Sequence, residues 1–117
     1  MIATTTHLFR LSVVAGAAML LTDPMPAADP PLAKQTHTFK TVGDLKVQAD
    51  VYRADDSKVR PVVVWIHGGA LIMGSRSGPP RQLLDLCRTQ GYGLVSIDYR
   101  LAPEVKLPAI VEDVEDA

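Results

Sequence analysis

The sequence predicts an α/β fold: an antiparallel hairpin followed by a parallel strand–helix–strand unit. Three observations carry this. Residues 36–52 alternate apolar and polar with period two, the mark of half-buried strands. Val62-Val63-Val64-Trp65-Ile66 is a continuous β-branched run, the mark of a strand covered on both faces. A helical spacing of leucines then separates it from a second apolar run, Leu94 to Ile97.

Length and composition bound what such a fold can be. A chain of 117 residues holds at most one ordinary domain. With 47% hydrophobic and 21% charged residues it is globular in type, and a net charge of -1 gives no electrostatic reason to expect nucleic acid or an anionic membrane as partner. The single cysteine, Cys87, closes no intramolecular disulfide, and it fits a buried helical thiol better than a reactive one.

Residues 1–28 have the order of parts of a secretory signal peptide. His7 and Arg10 precede the apolar run Leu11 to Leu21, and Pro24, Pro26 and Ala27-Ala28 follow it. Export to the periplasm or the outside is therefore expected, with a buried N-terminal helix as the alternative. The run is about half the roughly 20 residues of a membrane span, so no stable span is expected. Residues 29–117 remain as the folded part, and Asp29 to Lys34, with Pro30 and Pro31, is expected to be an extended leader.

Strands are expected at Thr36 to Val42 and Leu45 to Tyr52. Leu45, Val47, Ala49 and Val51 form the apolar face of the second strand, and Lys46, Gln48, Asp50 and Tyr52 form its polar face. Gly43-Asp44 links the two as a type II′ turn, whose first position favours glycine. Arg53 to Arg60 is expected to be a solvated loop. Pro61 introduces the run Val62 to Ile66, which is expected at the centre of the sheet. A helix is expected over Ser77 to Gln90, with Leu83, Leu84, Leu86 and Cys87 at helical spacing and Gly91 as its C-cap. After Leu94 to Ile97, a last helix is expected to start at Pro108 and to bring Ile110, Val114 and Ala117 onto one face.

The loop leaving the first buried strand is the candidate site, because ligands of open α/β sheets bind beyond the carboxyl ends of the strands. His67-Gly68-Gly69-Ala70 occupies that position. Adjacent glycines let peptide N–H groups approach a bound atom closely, as stabilising a tetrahedral oxyanion requires. A plain turn would use the same residues, so the loop taken alone leaves both readings open.

Its surroundings decide between them. VVVWIHGGALIMGS resembles the strand and HGGG-type loop of esterases and lipases of the α/β-hydrolase superfamily. SIDYRLAPE, Ser96 to Glu104, is similar to a stretch of the hormone-sensitive-lipase-like branch, and LPAIVEDVEDA resembles the helix that follows there. The three matches keep the family's order and cover roughly residues 36 to 117. The resemblance implies the N-terminal part of an α/β-hydrolase sheet, acting on a small-molecule carboxylic ester without metal or cofactor. It implies that the N–H groups of Gly69 and Ala70 are oxyanion donors, with Gly68 and His67 shaping the loop. The branch often has Gly where this chain has Ala70, a change that leaves a backbone donor in place. Asp98, Arg100 and Glu104 are expected to be scaffold residues that form salt bridges and position loops.

The rest of the reaction machinery is absent from these residues. No Gly-x-Ser-x-Gly elbow occurs from Met1 to Ala117, and no histidine follows His67. Gly74-Ser75-Arg76-Ser77-Gly78 comes nearest, but its central residue is Arg76 and no strand supports it. The sheet is therefore expected to be incomplete, with one apolar edge exposed and residues 29–117 alone poorly soluble or molten. Three readings follow: the N-terminal portion of an exported carboxylic-ester hydrolase, inactive alone; a non-catalytic interaction module that completes its sheet with a partner chain; or an unrelated anion-binding α/β domain, against which the SIDYRLAPE resemblance speaks.

Overall fold

The structure, a computed structural model, describes residues 30–117, so the export-signal reading of residues 1–28 lies outside the described residues. The elements run β1 (Leu32–Val42), β2 (Leu45–Ala54), β3 (Val62–Ile66), α1 (Arg81–Gln90), β4 (Gly93–Ile97) and α2 (Leu107–Asp116). They build one four-stranded sheet in the order β1-β2-β4-β3. The strands β1 and β2 are antiparallel, β2 meets β4 antiparallel, and β3 lies parallel to β4 across the helix α1. Hairpin and strand–helix–strand unit are both as the periodicity requires.

The hairpin turn has the expected sign pattern. Gly43 sits at φ 59, and Asp44 is not among the residues with positive φ, as in a type II′ turn. β1 begins earlier than expected, because Leu32, Ala33 and Lys34 pair with Ala54, Arg53 and Tyr52. The expected leader is thus half strand, and it stops at Pro31, which has no N–H to give the ladder. Lys34 is fixed there by an ion pair to Asp50 at 2.8 Å. A bulge between Thr38 and Lys40 shifts the register, leaving Phe39 unpaired.

Each face of the sheet follows from the register. Asp50, Ser96 and Trp65 are partners across β2, β4 and β3 and share one face; Val51, Val95 and Val64 share the other. The first face is covered. Ser96 is buried and donates its hydroxyl to the carbonyl of Arg76 at 2.6 Å. Asp50, expected on the polar face of a half-buried strand, is buried as well, because the segment around Arg76 folds over it.

The helices show two smaller differences. α1 begins at Arg81, not Ser77, with Pro80 at the N-cap position. It ends as expected at Gly91, φ 69, where the N–H groups of Gly91 and Tyr92 close on the carbonyls of Arg88 and Cys87. Cys87 is fully buried, and burial pushes its thiol pKa up, which keeps it in the neutral thiol form. α2 begins one residue before Pro108, and its buried residues are Ile110 and Asp113. Val114 and Ala117 therefore do not complete its inward face. The reason is an ion-pair network, described below.

β3 was expected at the centre of the sheet, yet it forms the edge of the described one. Val62, Val64 and Ile66 are 58%, 57% and 49% exposed. Among the described residues no strand pairs with its other side. These three side chains stand on the face of Val51 and Val95, so the run expected to be covered on both faces is open on one, and its free side is the apolar edge expected of an incomplete sheet.

Candidate functional site

The loop after β3 is built around two glycines that tolerate no side chain. At Gly69, φ 121, a Cβ would lie 2.0 Å from the carbonyl oxygen of Met73. At Gly74, φ 109, it would lie 2.3 Å from Nδ1 of His67 and 2.4 Å from the carbonyl oxygen of Gly68. Gly68, by contrast, has open space around its Cβ position. Between the two tight glycines, Ala70 and Leu71 are held in the left-handed region at φ 54 and 66. That conformation costs a non-glycine residue on the order of 1 kcal/mol and persists only where neighbours over-determine it.

The neighbours that do so are visible. The carbonyl of Gly69 accepts from Ile72 and Met73, each at 3.1 Å, and the carbonyl of Leu71 accepts from Ala102 at 2.8 Å. His67 is buried against Tyr99, with ring centroids 4.2 Å apart and planes 11° from parallel. The Tyr99 hydroxyl donates to the His67 carbonyl at 2.8 Å, and Nδ1 of His67 contacts the Gly68 carbonyl at 2.9 Å. Among the described residues, no acceptor meets the N–H of Gly69 or Ala70. The loop thus presents two unengaged backbone donors at the carboxyl end of a strand.

Beyond the loop, Arg76 ties the next segment down. Its N–H donates to Asp98 at 2.7 Å, its guanidinium pairs with Asp98, and its Nε meets Asp50 at 3.0 Å. Burial alone would raise the pKa of Asp50, but hydrogen bonds from Lys34, Thr36 and Arg76 outweigh it and hold the carboxyl below its usual range. Arg76, seen in the sequence only as the wrong residue at the centre of a false elbow, is a structural clamp. Ser75 and Ser77 contact each other at 2.6 Å, and among the described residues no histidine or carboxylate partners either hydroxyl. Nothing there activates a nucleophile.

The stretch after β4 carries the second clamp. Arg100 makes a two-pronged ion pair with Asp113, Nε to Oδ2 and Nη2 to Oδ1 at 2.7 Å each, and its backbone N–H adds a third bond at 2.9 Å. Lys40 of β1 reaches the same carboxylate at 3.0 Å. Burial pushes the Asp113 pKa up, but the bonds from Arg100 and Lys40 prevail and bring it down to about 2. Asp98 and Arg100 are in salt bridges; Glu104 is in none among the described residues. A cavity of about 470 Å³ opens beside the loop, walled by Val47, Ile72, Tyr99, Leu101 and Val105. Among the described residues no group of three His, Cys, Asp or Glu side chains is placed to hold a metal ion, and no helix is long and apolar enough to cross a membrane.

Two residues that shape this site carried no role in the sequence reading. Tyr99 lies inside the SIDYRLAPE motif, which marks it for attention without saying what it touches. Asp113 has only its place three residues after Ile110 on the same helix.

Against known proteins, the chain matches the family model described as BD-FAE over residues 49–117. It is 34% identical over 114 residues to a non-reducing polyketide synthase of Aspergillus calidoustus, covering 92% of this chain and 5% of that protein. It is 30% identical over 105 residues to 3-O-acetylpapaveroxine carboxylesterase of Papaver somniferum, covering 80% of this chain and 32% of the relative. Among solved structures, an esterase of Pyrobaculum calidifontis superposes with a TM-score of 0.63 at 39% identity, covering 75% of this chain and 28% of that one. The chain therefore spans a third or less of the length of each.

Proposed function

The chain belongs to the BD-FAE family, of the hormone-sensitive-lipase-like esterases with the α/β-hydrolase fold, and from that premise we propose that His67 to Ala70 form the oxyanion-binding loop of a carboxylic-ester hydrolase. The observation that carries the proposal is the pair of unengaged N–H groups on Gly69 and Ala70 in a loop fixed from several sides. When a nucleophile adds to an ester carbonyl, the carbonyl oxygen takes up negative charge. Fixed donors about 2.7–3.1 Å from that oxygen stabilise the transition state without having to reorganise. His67 acts here on the loop and not on the substrate, since its ring is buried against Tyr99.

These 117 residues hold no Gly-x-Ser-x-Gly elbow and no histidine after His67, so the share of the reaction assigned to them is charge stabilisation. No step of it calls for a metal or a cofactor. The test is hydrolysis of a short-chain nitrophenyl ester. The chain by itself gives no turnover above buffer, and its loop supports turnover once installed in an esterase that brings its own serine and histidine. Turnover by the unaided chain contradicts this division of labour.

A second reading is favoured by one observation, the exposed apolar edge of β3. In it the chain completes its sheet with a partner chain and binds without catalysis. Export of either form rests on the order of parts in residues 1–28 and is tested by fractionating cells that express the chain.

A further inference from the structure

In a trans peptide the N–H points away from the C=O of the same unit, so whatever holds a carbonyl also aims the N–H of the next residue. The only cis bond among the described residues is Ala102-Pro103, so every peptide of the loop is trans. Three successive carbonyls of the loop are held. That of His67 accepts from the Tyr99 hydroxyl at 2.8 Å, that of Gly68 lies 2.9 Å from His67 Nδ1, and that of Gly69 accepts from Ile72 and Met73 at 3.1 Å. The N–H groups of Gly68, Gly69 and Ala70 are thereby aimed in turn.

A carbonyl oxygen can only accept, so Nδ1 of His67 must carry the hydrogen in the contact with Gly68. In the neutral ring that leaves Nε2 bare. The ring has little freedom to turn, because Tyr99 stacks on it and Gly74 packs against its Nδ1 edge.

We infer that Tyr99 is a positioning residue for the loop, acting through His67: it fixes the His67 carbonyl with its hydroxyl and the imidazole with its ring, and the imidazole, as the Nδ1–H tautomer, turns the Gly69 N–H outward. The inference rests on the proposal that this N–H serves an oxyanion, yet its test reads the loop itself and needs no turnover. That proposal fails on hydrolysis; this one fails on tautomer and amide shifts.

The experiment is nitrogen-15 NMR of the chain at tens of micromolar in a Val64→Lys background, which keeps β3 from pairing with another copy. A long-range proton–nitrogen correlation above pH 8 is expected to give His67 as the Nδ1-protonated tautomer, and an Nε2-protonated ring overturns the inference. Tyr99→Phe keeps the stacked ring and removes the hydroxyl. The amide resonances of Gly68 and Gly69 are expected to move by more than their line widths while the methyl resonances of Leu94 and Ile97 stay in place. Unmoved glycine amides in a folded Tyr99→Phe chain overturn it equally. Should that variant fail to fold, the chain that keeps Tyr99 still decides: its hydroxyl proton is expected to exchange slowly enough to give a separate resonance, and a freely exchanging hydroxyl overturns the inference.

Discussion

Asp113, in the middle of α2, is buried under the guanidinium of Arg100, which meets both of its carboxylate oxygens at 2.7 Å. A fork of this kind is the strong form of an ion pair, and its geometry is met only when α2 lies against the stretch that follows β4. Removing one partner strands the other charge. Asp113→Asn is expected to lower unfolding free energy by about 3–5 kcal/mol, since Arg100 and Lys40 then face a neutral amide. Glu112→Gln, at an exposed position of the same network, is expected to cost less than about 1 kcal/mol. Urea titrations of the two variants check the contrast.

The same carboxylate gives stability a pH dependence with a definite sign. Its pKa is about 2 in the folded chain against an ordinary 3.8, so the folded state holds the proton more weakly than the unfolded one. The stabilisation, about 2 kcal/mol, is complete above about pH 5 and is lost as pH falls through about 4 and past about 2. Urea midpoints measured across that range are expected to fall more steeply for the unsubstituted chain than for Asp113→Asn.

The loop glycines differ sharply in what they tolerate. Gly69→Ala and Gly74→Ala each drive a Cβ into backbone or ring atoms and demand a left-handed φ, and each is expected to destabilise by about 2 kcal/mol or more. Gly68→Ala meets nothing within 4 Å and is expected to cost less than about 1 kcal/mol. Thermal unfolding of the three variants ranks them. Equal losses would mean that the loop does not hold the described backbone.

The edge of β3 predicts self-association. Val62, Val64 and Ile66 are exposed apolar side chains of a strand that, among the described residues, has no neighbour on the side away from β4, so another copy can pair with it. Sedimentation velocity of the 117-residue chain is expected to show mass rising with concentration, and Val64→Lys is expected to suppress it. A monomer at all concentrations contradicts the expectation.

The legible part of the fold was the part written in periodicity. The alternation of residues 45–52 gave β2, the run Val62 to Ile66 gave β3, and Gly43 and Gly91 marked a turn and a helix end that the backbone adopts. What escaped was polar burial. The burial of Asp50 is one case, because alternation says which residues share a face but not what covers that face. Asp113 is one of four acids in Glu112 to Asp116, and nothing local singles it out, since its partner Arg100 lies thirteen positions away. The placement of His67 to Ala70 at a strand end was readable. The hold of Tyr99 on that loop was not, because it joins residues 32 apart.

The most direct measurement of the central claim is the turnover of an esterase that carries this loop. Residues 66–75 replace the matching segment of the Pyrobaculum calidifontis esterase, and kcat for a nitrophenyl ester is compared with that of the parent. If Gly69 and Ala70 serve as oxyanion donors, kcat stays within about tenfold of the parent value. A fall of about 10²–10³, the loss that follows removal of an oxyanion donor, in a hybrid that remains folded would contradict the claim.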